Sequence, residues 1–189
     1  IEKLSLLINK GNELFEQKNY KQALKEYNEV LDKNPDLYQI RRNIGNCYYE
    51  MGDYDSALEH YLAVLEKEPQ SGEIIISIGT LYIAKGELQK AMEYFSKIDE
   101  KSITNPLIFY NLGTLLFNKR ETDKAIEYHM KALSLDPDTA DVYYQLGLCY
   151  IQKDDKEKAK ESFNKFLSLA PESPNAPNAK EFLKYLEKK

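Results

Sequence analysis

The sequence has few of the residues from which disulfide scaffolds and metal sites are built. Of its 189 residues, only two are cysteine and two are histidine. Two cysteines are too few for a disulfide-stabilised scaffold, and their scarcity favours a reducing compartment such as the cytoplasm. Neither histidine has a cysteine or carboxylate at the spacing of a zinc site. We therefore expect no structural metal.

Motifs that carry catalysis are also lacking. The sequence contains no glycine-rich phosphate loop, no nucleophile elbow and no zinc-enzyme signature. His129 recurs in a column of ring residues described below, which predicts a packed core position for its side chain. We expect a protein that is not an enzyme and that needs no cofactor.

Long apolar runs and an excess of basic residues are absent too. The mean hydropathy is −0.61, and no apolar segment is long enough to span a membrane. The net charge is −5, with acidic and basic residues interspersed, whereas nucleic-acid binding favours a basic stripe. These features predict no membrane insertion and no nucleic-acid partner. The chain begins at Ile1 rather than at methionine, which is consistent with a processed or excised piece.

No segment is rich enough in Pro, Gly and Ser to act as a linker, so we expect one continuous domain over residues 1–189. What the sequence does contain is an internal repeat, in which four columns of residues recur at one constant interval. The glycine column is Gly11, Gly45, Gly79, Gly113 and Gly147. The alanine column is Ala23, Ala57, Ala91, Ala125 and Ala159, and the ring column is Tyr27, Tyr61, Phe95, His129 and Phe163. A proline column holds Pro35, Pro69, Pro137 and Pro171, with Ile103 as its exception.

Each repeat contains two helical patterns separated by a short break. In the second repeat, apolar and small residues follow the spacing of one helix face before and after the break at Gly52 and Asp53. Gly52 can adopt the left-handed turn that ends the first helix, and Asp53 can cap the second. Pro69 then stops the second helix, so each repeat forms an antiparallel helical hairpin. Gly45 lies inside a helix, and we expect close backbone-to-backbone packing of the two helices there.

The spacing of these columns resembles the tetratricopeptide repeat (TPR), a 34-residue helix–turn–helix unit. The resemblance covers five repeats over residues 4–37, 38–71, 72–105, 106–139 and 140–173, with a capping helix over about 174–189. It implies an all-α fold, a right-handed α-solenoid of antiparallel helical hairpins. The third repeat departs from the pattern, with Asp99 in place of leucine and Ile103 in place of proline. We expect irregular geometry from Lys97 to Pro106.

In the family, the first helices of the repeats line a concave groove, so the resemblance implies a binding surface on their outward columns. In this sequence those columns mix rings and aliphatic residues with side-chain amides. The predicted peptide-binding residues are Asn12, Arg42, Asn43, Asn46, Tyr49, Ile76, Thr80, Tyr110, Asn111, Thr114, Phe117, Tyr144 and Gln145. Amides can bind the backbone of an extended peptide, while the apolar columns accept its side chains. The alternatives are that the amides pair between helices and that the large residues pack between hairpins.

Chaperone-binding members of the family hold a C-terminal carboxylate with a clamp of lysine, arginine and asparagine, and this clamp is missing here. Asn12 and Asn43 match its two asparagines, but Ile8, Glu73 and Ser77 stand where the cations should be. Acidic residues of the groove outnumber Arg42, which favours a neutral or basic segment.

The predicted function is a non-catalytic scaffold that binds an extended peptide or protein segment in its groove. The alternative is a structural module that self-associates, or docks on a folded partner through its convex face or its N-terminal end. No cap precedes the first repeat, so we expect Leu4, Leu7 and Ile8 to be uncovered, with a homo-oligomer as the consequence.

Overall fold

A computed structural model describes residues 2–187 of the chain, and all of its regular structure is helical. Over this range there are eleven α-helices and one short 3₁₀ helix, and no strand. The predicted all-α class and the repeated helical hairpins are confirmed. The chain forms two compact units, which meet in sequence between Ser102 and Ile103.

Unit 1 consists of three hairpins. The helices are α1 (Glu2–Glu16), α2 (Tyr20–Lys33), α3 (Ile40–Glu50), α4 (Tyr54–Lys67), α5 (Gly72–Ala84) and α6 (Leu88–Phe95), followed by the 3₁₀ helix Glu100–Ser102. Each first helix packs against the second helix of its own hairpin, and α2 and α4 also pack against the first helix that follows them. The core of the first two hairpins is built around Ala23, Tyr27, Val30, Ile44 and Cys47, all at most 2 % exposed.

Unit 2 consists of two hairpins and a final single helix. Its helices are α7 (Pro106–Asn118), α8 (Thr122–Leu135), α9 (Ala140–Gln152), α10 (Lys156–Leu169) and α11 (Ala176–Glu187). α11 packs against α10 and has no second helix of its own in the described chain. Ala159, Phe163, Phe166 and Ala179 form the fully buried centre of this unit.

The break between the two helices of every hairpin depends on one residue in a left-handed conformation. These five residues recur at the repeat interval, and φ angles between 56° and 78° are found in Lys18, Gly52, Gly86, Arg120 and Asp154. Gly52 adopts this turn as the sequence predicts, and the Asp53 side chain caps α4 by accepting from the Ser56 N–H. In three hairpins, however, the turn is made by a residue other than glycine, which the sequence alone did not indicate.

The glycine column has a different cause from the one predicted. A Cβ atom built on Gly45 would lie 2.6 Å from Cε1 of Tyr61, and the same kind of clash arises between every repeat glycine and the ring of its own hairpin. The atoms that exclude a side chain therefore belong to rings, so the expectation of backbone-to-backbone packing is wrong. Each first helix carries glycine because a ring from the second helix occupies the space that a Cβ atom would need.

The third hairpin is irregular where its sequence departs from the pattern. α6 has 8 residues, whereas α2 and α4 have 14 each. A 3₁₀ turn follows it, and α7 starts at Pro106 with the Asn105 side chain accepting from the Leu107 N–H. The predicted irregularity between Lys97 and Pro106 is confirmed.

Candidate functional site

The predicted binding residues lie on the first helices of the hairpins, and we call these surfaces the first-helix face of each unit. In unit 1 this face is formed by α1, α3 and α5, and in unit 2 by α7 and α9. The predicted binding residues on both faces are all half-buried or exposed. Ile83 of α5, which lies one repeat interval after Tyr49, is buried, with 8 % of its surface exposed.

In unit 1, two asparagines of the face are held by tyrosines from the second helices. The Tyr27 hydroxyl donates to Asn12 Oδ1 at 2.7 Å, and the Tyr61 hydroxyl donates to Asn46 Oδ1 at the same distance. Burial raises the pKa of Tyr27 to about 12, so its hydroxyl remains a donor at neutral pH. These are the ring-column tyrosines that pack on Gly11 and Gly45.

This arrangement fixes which end of each amide can contact a ligand. Because Oδ1 of Asn12 and of Asn46 accepts from tyrosine, the Nδ2 group of each is turned away from the ring and has no hydrogen-bond partner within residues 2–187. Asn43 Nδ2 donates weakly to Asn12 Oδ1 at 3.4 Å, which leaves the Asn43 carbonyl oxygen without a donor in that range. Asn12 and Asn46 therefore offer four N–H donors between them, and Asn43 offers its carbonyl oxygen as an acceptor.

A cavity of about 230 Å³ lies at these amides. It is lined by Asn12, Phe15, Glu16, Tyr27, Asn43 and Asn46. Phe15 also packs edge-on against the Tyr20 ring, with centroids 5.2 Å apart, so this residue serves both the hairpin core and the cavity wall. The structure thus brings together three of the predicted residues, and it adds Phe15, Glu16 and Tyr27 to them.

The unit 1 face carries more acidic than basic side chains. Arg42, its one predicted cation, forms an ion pair with Glu73 of α5. Glu16 and Glu50 have no ion-pair partner among the described residues, although Glu50 lies 3.4 Å from the Tyr20 hydroxyl. The uncompensated charge of this face is therefore carried by two carboxylates.

The other predicted residues of unit 1 lie outside the amide cavity. The Tyr49 ring packs against Tyr54, with centroids 5.5 Å apart, and burial raises the pKa of Tyr49. Ile76 and Thr80 are half-buried on α5. These three side chains form part of the same face without lining the cavity.

In unit 2, the first-helix face rests on aromatic packing instead of tyrosine–asparagine bonds. The Tyr110 ring lies 5.9 Å from the His129 ring, and burial, followed by the charge of Asp141, raises the pKa of Tyr110. The Thr114 hydroxyl donates to the Tyr110 carbonyl oxygen at 3.0 Å, so it is used within α7. Asn111 and Phe117 are half-buried on this helix.

An opening on the unit 2 side lies between α9 and α11. Its volume is about 360 Å³, and it is lined by Tyr144, Ile151, Asn178, Glu181, Phe182 and Tyr185. Tyr144 packs against Phe163 and Phe166, with centroid distances of 5.8 and 5.1 Å, and Phe163 stacks on Phe182 at 5.2 Å. Of the predicted site residues, Tyr144 lines this opening, whereas Gln145 does not.

Sequence reasoning missed the contribution of α11, although the signal was present. Asn178, Phe182 and Tyr185 lie one repeat interval after Tyr144, Leu148 and Ile151, so three outward columns simply continue into the last helix. Glu181 lies one repeat interval after Gly147 and takes the place of the repeat glycine. Within the described residues no second helix places a ring against α11, so that position can carry a side chain.

A still larger cavity, of about 610 Å³, lies on a different side of α9. Met130 and Leu133 of α8, Tyr143 and Tyr150 of α9, and Lys165 of α10 are among its walls. Met130 is 52 % exposed. This cavity contains none of the predicted binding residues.

The expectation of uncovered apolar residues at the first helix is wrong in its particulars. Leu4, Leu7 and Ile8 pack against the core of the first two hairpins, and Leu4 and Leu7 are half-buried. Leu6, which the sequence did not single out, is 65 % exposed. Self-association through this end stays a prediction, without the three side chains on which it was based.

His129 and the two cysteines are buried. His129 is fully buried, as the sequence predicts, and neither ring nitrogen has a hydrogen-bond partner in the described chain. Cys47 and Cys149 are buried, and burial raises each thiol pKa to about 12. Residues 2–187 contain no cluster of three or more His, Cys, Asp or Glu that could hold a metal ion. Over the same range, no helix combines the length and apolar character that a membrane crossing requires.

Comparison with family models matches most of the chain to one family. Models described as tetratricopeptide repeat match residues 14–74, 50–108 and 112–184. Among curated protein sequences, none matches the chain.

Solved structures of similar architecture include three named proteins. A crystal structure of MamA is 23 % identical, with a TM-score of 0.75, and the match covers 90 % of this chain and 93 % of that one. YrrB, described as a TPR protein with an unusual peptide-binding site, is 24 % identical, with a TM-score of 0.73 and coverage of 93 % and 90 %. PilW, described as a type IV pilus biogenesis factor, is 17 % identical, with a TM-score of 0.76 and coverage of 100 % and 92 %. At these identities the likeness shows the fold alone.

Proposed function

Because the chain belongs to the tetratricopeptide repeat family, whose repeats serve as protein-interaction scaffolds, we propose that it binds an extended peptide segment on its first-helix faces. In this proposal the chain catalyses no reaction and positions a partner protein. The similarity to YrrB, described as having a peptide-binding site, is consistent with a peptide ligand.

The observation that carries the proposal is the orientation of Asn12 and Asn46. Tyrosine hydroxyls hold their Oδ1 atoms, so their Nδ2 groups remain available to a ligand. An extended peptide presents carbonyl oxygens and N–H groups at regular intervals, and it can accept from these donors while the Asn43 oxygen accepts from it. Asparagines whose side chains were all paired with each other would not support a peptide in this way.

The charge of the unit 1 face limits the net charge of the segment that it can bind. With Arg42 paired to Glu73, the carboxylates of Glu16 and Glu50 remain uncompensated in unit 1. Opposite charges across an interface increase association, and like charges suppress it. We therefore expect the preferred segment to be neutral or basic, and its affinity to fall only modestly with salt because apolar contacts are not screened.

The test uses a library of random heptapeptides displayed on phage, selected on the purified chain. Peptides selected on the parent should bind Asn43→Ala/Asn111→Ala about tenfold more weakly, since each lost hydrogen bond contributes about 0.5–1.5 kcal/mol. The matched control is Asn28→Ala/Asn164→Ala, which removes two exposed asparagines from the second helices α2 and α10. Circular dichroism verifies that both double variants remain folded.

Two results would contradict the proposal. One is a selection that enriches no peptide on the parent chain. The other is a set of enriched peptides that bind both double variants as tightly as they bind the parent. In the second case the binding surface lies elsewhere.

A second candidate is docking of a folded partner on the other side of unit 2. The cavity of about 610 Å³ between α8 and α10 supports it, with the exposed Met130 at its rim. If this side is the binding surface, Met130→Lys should abolish capture of the partner, while the asparagine variants leave it unchanged. Light scattering on the purified chain tests the remaining alternative, self-association, and Leu6→Lys should dissociate a dimer formed through the first helix.

A further inference from the structure

The opening between α9 and α11 differs from the rest of the first-helix faces in its chemistry. Its walls are the rings of Tyr144, Phe182 and Tyr185 together with Ile151, and Glu181 and Asn178 supply its polar groups. The amide cavity of unit 1, in contrast, is lined by three asparagines. This opening can therefore bind a side chain through apolar contact, which the amide cavity cannot do to the same extent.

Two rings that line the opening, Tyr144 and Phe182, pack against buried rings of α10. Phe163 is fully buried and lies between Tyr144 and Phe182, with ring centroids 5.8 and 5.2 Å away. Phe166 is likewise fully buried, and it contacts Tyr144 at 5.1 Å. A pocket whose walls are held by such packing does not need to be ordered by its ligand, which lowers the entropic cost of binding.

Size limits what can enter. A volume of about 360 Å³ lies near the lower end of small-ligand pockets, which hold roughly 300–1,000 Å³. One large aliphatic or aromatic side chain fits such a volume together with a short stretch of its backbone. Asn178 at the wall can bind that backbone through its amide.

Acidic side chains near the opening favour a basic residue next to the peptide side chain that enters it. Glu181 is exposed and forms no ion pair within the described part of the chain, and it takes the place where all five hairpins have glycine. Asp141, one helical turn before Tyr144 on α9, is exposed and likewise has no ion-pair partner in that range. Lys180 and Lys184 also lie on α11, but neither forms an ion pair with Glu181 among the described residues, and the predicted site residues of unit 2 include no lysine or arginine.

We propose that the opening between α9 and α11 anchors one large apolar side chain of a bound peptide segment and that Glu181 pairs with a lysine or arginine next to that side chain. The proposal rests on peptide binding to the first-helix faces and adds the anchor and its flanking charge. The occupant is a segment of a partner protein in which an apolar residue adjoins a basic one.

The experiment extends the heptapeptide selection to three further chains: Glu181→Lys, Glu181→Gln and Ile151→Glu. Peptides enriched on the parent should share an apolar residue beside Lys or Arg. Glu181→Lys should enrich acidic residues at the flanking position, and it should bind the parent's best peptide at least about tenfold more weakly. Glu181→Gln should weaken binding of the same peptide by an intermediate factor, because it removes the charge of the side chain and keeps its size.

Affinities can be read without interference from the protein. The chain contains 15 tyrosines but no tryptophan, so a tryptophan placed at the end of a synthetic peptide can be excited selectively, at a wavelength that tyrosine does not absorb. Ile151→Glu places a charge in the apolar wall and should weaken the peptide at least about tenfold. Ile151 also packs against the core of unit 2, so Ile151→Glu can unfold the protein. Glu181 is exposed, and its variants therefore test the proposal in a folded chain.

The outcomes separate this inference from the proposed function. A peptide whose binding is weakened in Asn43→Ala/Asn111→Ala but is as tight to Glu181→Lys as to the parent, with the same flanking residues enriched, overturns the anchor and leaves the scaffold. An empty selection overturns both. Dissociation of a dimer by Glu181→Lys in light scattering would also overturn the inference, because the occupant would then be a second copy of the chain.

Discussion

The second and fourth hairpins each place a ring against their repeat glycine, Tyr61 against Gly45 and His129 against Gly113. Only in the second hairpin do the polar atoms of the ring have a hydrogen-bond partner. Tyr61 donates its hydroxyl to Asn46, whereas His129 is fully buried and neither of its nitrogens is hydrogen-bonded in the described chain. An unsatisfied buried polar group costs about 1–3 kcal/mol. The repeat therefore fixes where the ring packs, and each hairpin has to provide for the polar atoms separately.

The remaining hairpins follow the same logic. The first pairs Tyr27 with Asn12, as the second pairs Tyr61 with Asn46. The third and fifth carry Phe95 and Phe163 in the ring column, and at the place of the asparagine they have Thr80 and Leu148. Asparagine thus occurs where the ring has a hydroxyl and is absent where it has none, which indicates that Asn12 and Asn46 are structural residues as well as proposed ligand contacts.

The largest expected effect comes from filling the space that the ring occupies. Gly45→Ala would place a Cβ atom 2.6 Å from the nearly buried Tyr61 ring, and overpacking of this kind costs about 1–3 kcal/mol. Gly72→Ala is the matched control, because its nearest neighbour would be 3.9 Å away. Urea unfolding should show a lower midpoint for Gly45→Ala alone, and equal midpoints for both variants would mean that the ring can move aside.

The next effect tests whether a hydroxyl needs its asparagine. Phe163→Tyr adds a hydroxyl opposite Leu148, where no amide is available, and should lower the free energy of unfolding by about 1–3 kcal/mol. Adding Leu148→Asn to the same chain should recover most of the loss by recreating the pair seen in hairpins one and two. A double-mutant cycle in urea measures the coupling. Zero coupling would show that the tyrosine–asparagine pair does not stabilise the hairpin.

Replacing the imidazole in the fourth hairpin should increase stability. His129→Phe gives this hairpin the ring of the third and fifth and removes two unpartnered nitrogens, so we expect a gain of about 1–2 kcal/mol at neutral pH. The measurement is urea unfolding at pH 7, with His60→Gln as the control for loss of the other histidine. A loss of stability would mean that the nitrogens are satisfied by water.

The same variant should change the response to acid. Burial lowers the pKa of His129 to about 4, from an ordinary value near 6.5. Between these two pH values the unfolded chain binds more protons than the folded chain, so stability falls as the pH falls through this window. His129→Phe should make the free energy of unfolding less dependent on pH between pH 7 and pH 5. An unchanged pH dependence would contradict the assigned environment of His129.

The smallest effect concerns the left-handed turn between the helices. Arg120 has a φ of 64°, which disfavours any residue with a Cβ atom, whereas Gly52 and Gly86 make the same turn in their hairpins. Arg120→Gly should raise stability by about 0.5 kcal/mol, and Gly86→Ala should lower it by about 1 kcal/mol. Thermal melts followed by circular dichroism compare the two, and shifts of the same sign would contradict the argument.

The fold was predictable because it depends on spacing. Columns such as Gly45 with Tyr61 recur at a constant interval without insertion, and this regularity predicts the hairpins, their order and the irregular segment near Ile103. The reason for the glycine was not predictable. A glycine is required whether a backbone or a ring approaches the helix closely, so the sequence does not distinguish the two. The left-handed Lys18 and Arg120 were missed because neither residue type favours that turn.

The candidate site was predictable only as a surface. The outward columns of the first helices could be read from the repeat, but the orientation of Asn12 depends on the hydroxyl of Tyr27 in another helix. The pairing of Arg42 with Glu73 similarly joins two helices. The contribution of Phe182 and Tyr185 was missed because the last helix was treated as a cover for the solenoid and not as a continuation of its columns.

Each unit contains one buried cysteine, whose reaction with a thiol reagent reports how often that unit opens. Cys47 lies in unit 1 and Cys149 in unit 2, both with no exposed surface. A buried thiol reacts with a modifying reagent only when the surrounding structure opens, so the labelling rate measures that opening. In Cys149→Ser the signal comes from unit 1 alone, and in Cys47→Ser from unit 2 alone. Equal rates would mean that a partner meets one cooperative body, whereas unequal rates would mean that one unit can hold its ligand while the other is open.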